Sequence, residues 1–245
     1  MIRHLIIFLF LITSLSAGSL KVVLVGDTDS NLTDQIEKDI ELVSMESRTL
    51  SRHLNRPLEL YIIKGEQVYR ENIRYQLQEI PVNKDDILIV FYSGHGFRDT
   101  QKQSPFPYMY LTRTHEAYDM NEMVNVVYEK KAQFSLVIVD ACNLPMAHMN
   151  EPDPTKEIYD NFVTRGDIRC NLRGLFENGR GVLAIASCSP GEVAWASRAG
   201  GYFTQAFLDS IYTGDATSCV DWKVWAKTLQ SKTGDIQHPV YRFYP

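Results

Sequence analysis

The chain has 245 residues, with 25 Lys and Arg against 30 Asp and Glu for a formal net charge of −5. At 44% hydrophobic and 22% charged it has the balance of a globular protein, which excludes a disordered or low-complexity chain. Its scattered Lys and Arg lack the electrostatic footprint of a nucleic-acid binder, and four Cys in this length do not make a disulfide scaffold.

Residues 1–18 read as a signal peptide. Arg3 and His4 give a basic start, Leu5 to Ile12 run apolar without a break, and Ser14, Ser16, Ala17 and Gly18 supply small side chains at the cleavage region. The apolar run is shorter than the ~20 residues that span a bilayer. The expectation is therefore a secreted or periplasmic domain, residues 19–245, with no stable membrane anchor once the segment is removed.

Lys21 to Gly26 (KVVLVG) is a short β-branched run and predicts a buried strand. Ile36, Ile40, Val43, Leu50 and Leu54 recur at helical spacing, with Asn31 or Thr33 available as a cap. Leu58 to Ile63 predicts a second strand. Val68, Ile73, Leu77 and Ile80 mark a second helix, stopped by Pro81. Asp86 to Tyr92 (DILIVFY) is a third strand, and Tyr108 to Leu111 a short one. Asp119 and Glu122 form a capping-box-like pair before the stripe Met120, Met123, Val124 and Val127. Phe134 to Val139 (FSLVIV) and Gly181 to Ala186 (GVLAIA) are two further strands. Two more helical stripes follow, Phe203, Ala206, Phe207, Ile211 and then Trp222, Trp225, Ala226, Leu229, before Pro239 to Phe243 closes the sheet. Strands alternate with helices, and the strands are continuous apolar runs rather than alternating ones, so both sheet faces are covered. This is the pattern of a mostly parallel α/β sandwich. Residues 145–180 stand apart as a long polar loop with no apolar stripe.

In such sheets ligands gather beyond the carboxyl ends of the strands. After the third strand comes Ser93-Gly94-His95-Gly96. After the fourth comes Asp140-Ala141-Cys142-Asn143, and after the fifth Ser187-Cys188-Ser189-Pro190-Gly191-Glu192. A thiol is a strong nucleophile once ionised, and a nearby imidazole favours the thiolate and can return a proton to a leaving amine. The glycines beside His95 let backbone approach a substrate. The Gly96 and Cys142 amides could converge on a developing oxyanion.

These residues resemble the caspase and metacaspase group of cysteine peptidases over nearly the whole stretch Lys21 to Phe243. YSGHG (Tyr92 to Gly96) is similar to the group's catalytic-His signature, and VDAC (Val139 to Cys142) to its catalytic-Cys signature. ASCSPGEVA (Ala186 to Ala194), GGYFTQAFLDSI (Gly200 to Ile211) and QHPVY (Gln237 to Tyr241) support the likeness. The resemblance implies a caspase-like three-layer α/β/α sandwich around a mostly parallel six-stranded sheet. It implies a His95–Cys142 dyad, an oxyanion hole of Gly96 and Cys142 amides, and hydrolysis of peptide bonds in a peptide or protein substrate through a thioester. Animal caspases carry Gln where this chain has Asp140. Metacaspases carry Asp there and resemble enzymes that cut after Arg or Lys, so Asp140 is expected in a P1 pocket for a basic side chain. The alternative is that Asp140 caps a local turn. Glu192 is read either as a second acid of that pocket or as a solvated residue. Asn143-Leu144-Pro145 departs from the His-Ser-Gly that follows the metacaspase nucleophile, which leaves the pocket wall open.

By the same resemblance 145–180 is the region of a processing segment, and Lys156, Arg165, Arg169, Arg173 and Arg180 lie within it. Cys170, Cys188 and Cys219 leave an odd number once Cys142 is assigned, so two could pair, and a Cys142–Cys188 disulfide that silences the enzyme is one arrangement. No Cys/His spacing resembles a zinc site and no cofactor is expected. Ca2+ stimulates some metacaspases, with Asp27 and Asp29 as candidates, although turn roles suit them too. Two alternatives stand beside the peptidase: a caspase-like domain that binds without cleaving, and a legumain-like peptidase.

Overall fold

The computed structural model describes residues 18–146, 172–212, 221–233 and 237–245. The signal-peptide segment before Gly18, most of the long loop, Cys170 and Cys219 lie outside the described residues.

The chain runs β1 (Leu20–Gly26), α1 (Thr33–Leu54), β2 (Leu58–Lys64), α2 (Arg70–Glu79), β3 (Ile87–Ser93), β4 (Gly96–Phe97), β5 (Tyr108–Leu111), β6 (Glu116–Asp119), α3 (Met120–Glu129) and β7 (Phe134–Asp140). It continues through β8 (Gly181–Ala186), β9 (Ala196–Ser197), β10 (Gly200–Gly201), α4 (Tyr202–Tyr212), α5 (Trp222–Thr233) and β11 (Val240–Tyr244). The central sheet has six strands in the order β11-β8-β7-β3-β1-β2. Every neighbouring pair is parallel except β11 with β8. A small antiparallel sheet of β4, β5 and β6 and the β9–β10 hairpin sit apart from it.

Strands β1, β3 and β7 are buried along their whole length, as their unbroken apolar runs require. One face of the sheet packs Leu20, Val22, Leu24, Ile89 and Phe91 against α1, α4 and α5. The other packs Val23, Val25, Val90 and Val137 against α2 and α3. The period-2 alternation of Cβ direction along each strand divides these residues between two cores, giving the three-layer sandwich. Helix α1 ends at Asn55, whose φ of 51° closes it in the left-handed conformation.

Two local expectations change. Asp119 does cap α3, accepting the Asn121 N–H at 2.8 Å, but Glu122 does not reach back to complete a capping box. It forms an ion pair with Arg70 on α2 at 2.8 Å instead. The stretch read as a polar loop with no apolar stripe ends in a π-helical turn, Arg173–Glu177. Leu172, Leu175 and Phe176 there are buried in the same core as Phe134 and Trp222. Only one turn long, this stripe is too short to register as a periodicity. Arg173 pairs with Glu177 at 3.0 Å.

Phe134 is stacked on Trp222 with centroids 5.1 Å apart and meets Phe176 edge-on at 6.3 Å. It thereby joins β7 to α5 and to the Arg173–Glu177 turn. Phe134→Ala is expected to cost about 3–5 kcal/mol of stability, read as a lower urea midpoint. A loss under 1 kcal/mol would mean that this aromatic cluster does not hold the layers together.

Candidate active site

The carboxyl ends of β1, β3, β7 and β8 share one edge of the sheet, and the strand order reverses between β1 and β3. Residues after β1 and β3 therefore flank the crevice where such sheets bind ligands. In the β3–β7 ladder each residue faces one 47 positions later, from Ile87 with Phe134 to Ser93 with Asp140. The register continues past both strands. Gly94 donates its N–H to the Asp140 carbonyl at 3.3 Å and Arg98 to Leu144 at 2.6 Å, and Arg98 bridges Pro145. His95 and Cys142 share the same 47-residue offset, so they stand level on adjacent chains.

Close approach makes this possible. A Cβ on Gly96 would lie 2.5 Å from the Cys142 carbonyl oxygen and 2.7 Å from the Ala141 Cβ. A Cβ on Gly94 would lie 2.6 Å from the Tyr92 hydroxyl and 2.7 Å from the Asp27 Cβ. A larger residue at Gly96 would push the His95 and Cys142 chains apart, and one at Gly94 would displace the Tyr92 hydroxyl and Asp27. The His95 carbonyl accepts from the Tyr92 hydroxyl at 3.0 Å and from the Tyr110 N–H at 2.9 Å.

Cys142 is half-buried, and its Sγ accepts the Ala194 N–H at 3.4 Å. The next residue, Asn143, is fully buried and acts as a clamp. Its amide donates to the Pro105 carbonyl at 2.8 Å and the Cys188 carbonyl at 3.1 Å. Its backbone exchanges bonds with Glu192 and Gly191. Cys188 is fully buried, and burial pushes its thiol well above the ordinary value. No disulfide joins Cys142 and Cys188.

His95 Nε2 lies 2.7 Å from Asn31 Oδ1. Asn31 was legible only as a helix cap, but the cap position of α1 is Leu32, with no side-chain bond. Asp27 is buried after β1 and holds Thr112, accepting its hydroxyl at 2.6 Å and its N–H at 3.3 Å. Burial raises the Asp27 carboxyl, opposed by the Thr112 bonds and by attraction to His95. Asp29 pairs with Arg113 at 3.3 Å.

Asp140 is buried at the end of β7. Its Oδ2 accepts the Thr204 hydroxyl at 2.6 Å and the Thr204 N–H at 3.1 Å. Asp39 of α1 lies close by, accepting the Ser93 hydroxyl and the Gly201 N–H, both at 2.7 Å. Gly201 of the β9–β10 hairpin sits against both carboxyls. Asp39 was not singled out by the sequence, where it reads as one polar residue within a helical stripe. Glu192 lies beside Asn143, the residue after Cys142, through its main chain, but its carboxylate is engaged elsewhere. Oε1 meets His238 Nδ1 at 2.6 Å, and Oε2 accepts the N–H groups of Ser189 and His238.

Burial raises both Asp140 and Asp39, and repulsion from Asp140 adds to burial in pushing Asp39 to about 8. An acid held above its unfolded value binds its proton more tightly in the native state. Its contribution to stability is full below the ordinary value of 3.8 and is lost as pH rises through about 8. Burial also raises Glu46, to about 7, so the comparison must isolate Asp39. Asp39→Asn is expected to flatten the fall in melting temperature between pH 4 and 8 relative to wild type. Equal slopes in the two proteins would remove the acid pair as its cause.

The family model described as Caspase domain matches residues 41–234. No curated protein matches the chain. Among solved structures, a protein from Geobacter sulfurreducens, GSU0716, is 15% identical and aligns over 92% of each chain with a TM-score of 0.55, a likeness of fold alone. Among the described residues no helix is long and apolar enough to cross a membrane. The Caspase domain match includes His95, Cys142 and most of the sheet, and it covers well over half of the sequence: the chain belongs to the caspase-domain family.

Proposed function

We propose that the chain is a cysteine endopeptidase with Cys142 as nucleophile and His95 as its proton partner. The observation that carries this reading is the 47-residue offset between the two chains, which holds to Ser93 and Asp140 and recurs at Arg98 and Pro145, and which His95 and Cys142 share. The thiol gives its proton to the imidazole, and the thiolate attacks the scissile carbonyl carbon. The Gly96 and Cys142 amides are the proposed donors to the oxyanion. His95 then protonates the leaving amine as the C–N bond breaks. A thioester remains on Cys142 until water, deprotonated by His95, releases the acid.

A basic side chain at P1 belongs to the same proposal. Asp140 and Asp39 have no Lys or Arg partner among the described residues, so the edge beside Cys142 holds two buried acids with no compensating cation. An arriving guanidinium or ammonium would supply one. Both acids lie beneath the β9–β10 hairpin, so the hairpin must shift for a cation to reach them. Glu192 is assigned to the Ser189 turn and His238 rather than to this pocket. The peptidase takes a peptide or protein substrate and needs no cofactor in this scheme.

The contact of Ala194 with the sulfur favours a second reading, in which the thiol stays covered and the domain binds without cleaving. Fluorogenic peptides with Arg, Lys, Asp and Asn at P1 separate the two. The Arg and Lys peptides are expected to be cleaved, and Cys142→Ala to lower kcat/KM by about a thousandfold or more. An arginyl chloromethylketone is expected to label Cys142 and block turnover. No cleavage of any peptide, with slow and unselective labelling, would support the binding domain.

The pocket has its own test. Asp140→Asn is expected to reduce kcat/KM on the Arg peptide by about tenfold to a hundredfold while leaving alkylation of Cys142 by a neutral reagent unchanged. An unchanged preference among the four peptides would remove Asp140 from the pocket.

A further inference from the structure

We propose that Asn31 is a positioning residue that fixes the tautomer and orientation of His95, an inference that rests on the peptidase reading above. The contact is direct, with Asn31 Oδ1 2.7 Å from His95 Nε2. An amide oxygen only accepts, so Nε2 carries the proton and Nδ1 is left as the basic nitrogen for the thiol.

Three features make the contact more than a chance surface bond. First, His95 stands between Gly94 and Gly96. Neither neighbour has a side chain to pack against the ring, so its orientation is set by groups from elsewhere in the fold, Asn31 among them. Second, Asn31 does no work on its own helix. It stands at the head of α1, where Asn commonly caps, yet the cap position is Leu32 and has no side-chain bond. Its amide reaches across the crevice between β1 and β3 instead. Third, the loop that presents it is braced independently of Asn31. Ser30 Oγ donates to the Asp27 carbonyl at 3.0 Å. Thr33 Oγ1 donates to the carbonyls of Thr28 and Ser30 at 2.7 and 2.6 Å. Thr28 Oγ1 accepts the Gly65 N–H at 3.0 Å, tying the loop to the end of β2.

The chemical consequence follows from the proton's path. When His95 takes the thiol proton, the Nε2–H bond to Asn31 becomes charge-assisted and strengthens. The bond is made at Nε2, so it steadies the imidazolium while the proton on Nδ1 remains free to return to the leaving amine. This is the arrangement of a base oriented by a third group.

Two readouts on the full chain test it. The first needs no activity. In protein labelled with 15N-histidine, with the His95 ring assigned by its loss in His95→Gln, long-range 1H–15N spectra are expected to show the Nε2–H tautomer. Asn31→Ala is expected to shift it to a mixture, and an unchanged His95 spectrum in Asn31→Ala overturns the proposal. The second is kinetic, on the Arg peptide. Asn31→Ala is expected to lower kcat about tenfold to a hundredfold with KM within twofold. Asn31→Asp, which keeps an acceptor oxygen at the same reach, is expected to recover most of that loss. A kcat unchanged in Asn31→Ala, or a loss that Asn31→Asp does not restore, overturns the role of Asn31 while leaving the Cys142 reading intact. Failure of wild type to cleave defeats the peptidase reading, and the tautomer spectrum still reports on the contact.

Discussion

The parallel hydrogen bonding between β3 and β7 is the constraint on which the candidate site depends. Both strands are buried on both faces. A slip of one residue would turn every apolar side chain of a strand toward the wrong layer. The offset between the strands is thus held by the whole core. His95 and Cys142 lie two residues beyond the last paired residues, Ser93 and Asp140, and inherit that offset. A dyad on two free loops would have to order itself, whereas this pair is ordered by the packing of Val90, Phe91, Val137 and Ile138.

Around the pair, most polar side chains are occupied in holding loops. Asp27 ties the end of β1 to Thr112, Asn143 clamps the Cys142 segment to the segments carrying Pro105 and Cys188, and Glu192 anchors His238. Asn143 opens the stretch that departs from the metacaspase pattern, and it is fully buried. Its buried amide is satisfied by carbonyls from two different segments, a crosslink no Leu or Ala could make. Against this background the acids Asp39 and Asp140 are unusual, because they are bonded only to hydroxyls and N–H groups and repel each other. Such a pair costs stability at neutral pH.

Much of this was legible from the chain alone. The six strands of the central sheet appear within a residue or two of their apolar runs, whereas the short strands β4, β6, β9 and β10 carry no such run. The residues of YSGHG and VDAC lie at the expected strand ends. What was missed depends on contacts distant in sequence. Glu122 has a suitable local partner for a capping box but pairs with Arg70 of another helix. Asn31 looks like a cap because capping is the commonest local use of Asn, and only the fold brings it to the far side of the crevice from β3. The buried turn at Arg173–Glu177 is invisible because three apolar residues in one turn carry no period.

The sequence by itself determined the alternation of strands and helices, the covered faces of the sheet and the residue types collected at its carboxyl edge. All of these follow from hydrophobic periodicity and short-range turn chemistry. Only the tertiary structure decided that His95 stands level with Cys142, that Asp140 meets Asp39 rather than Glu192, and that Asn31 touches the imidazole. Each of those contacts joins segments tens of residues apart, and their distances are set by strand register and layer packing, which no local pattern encodes.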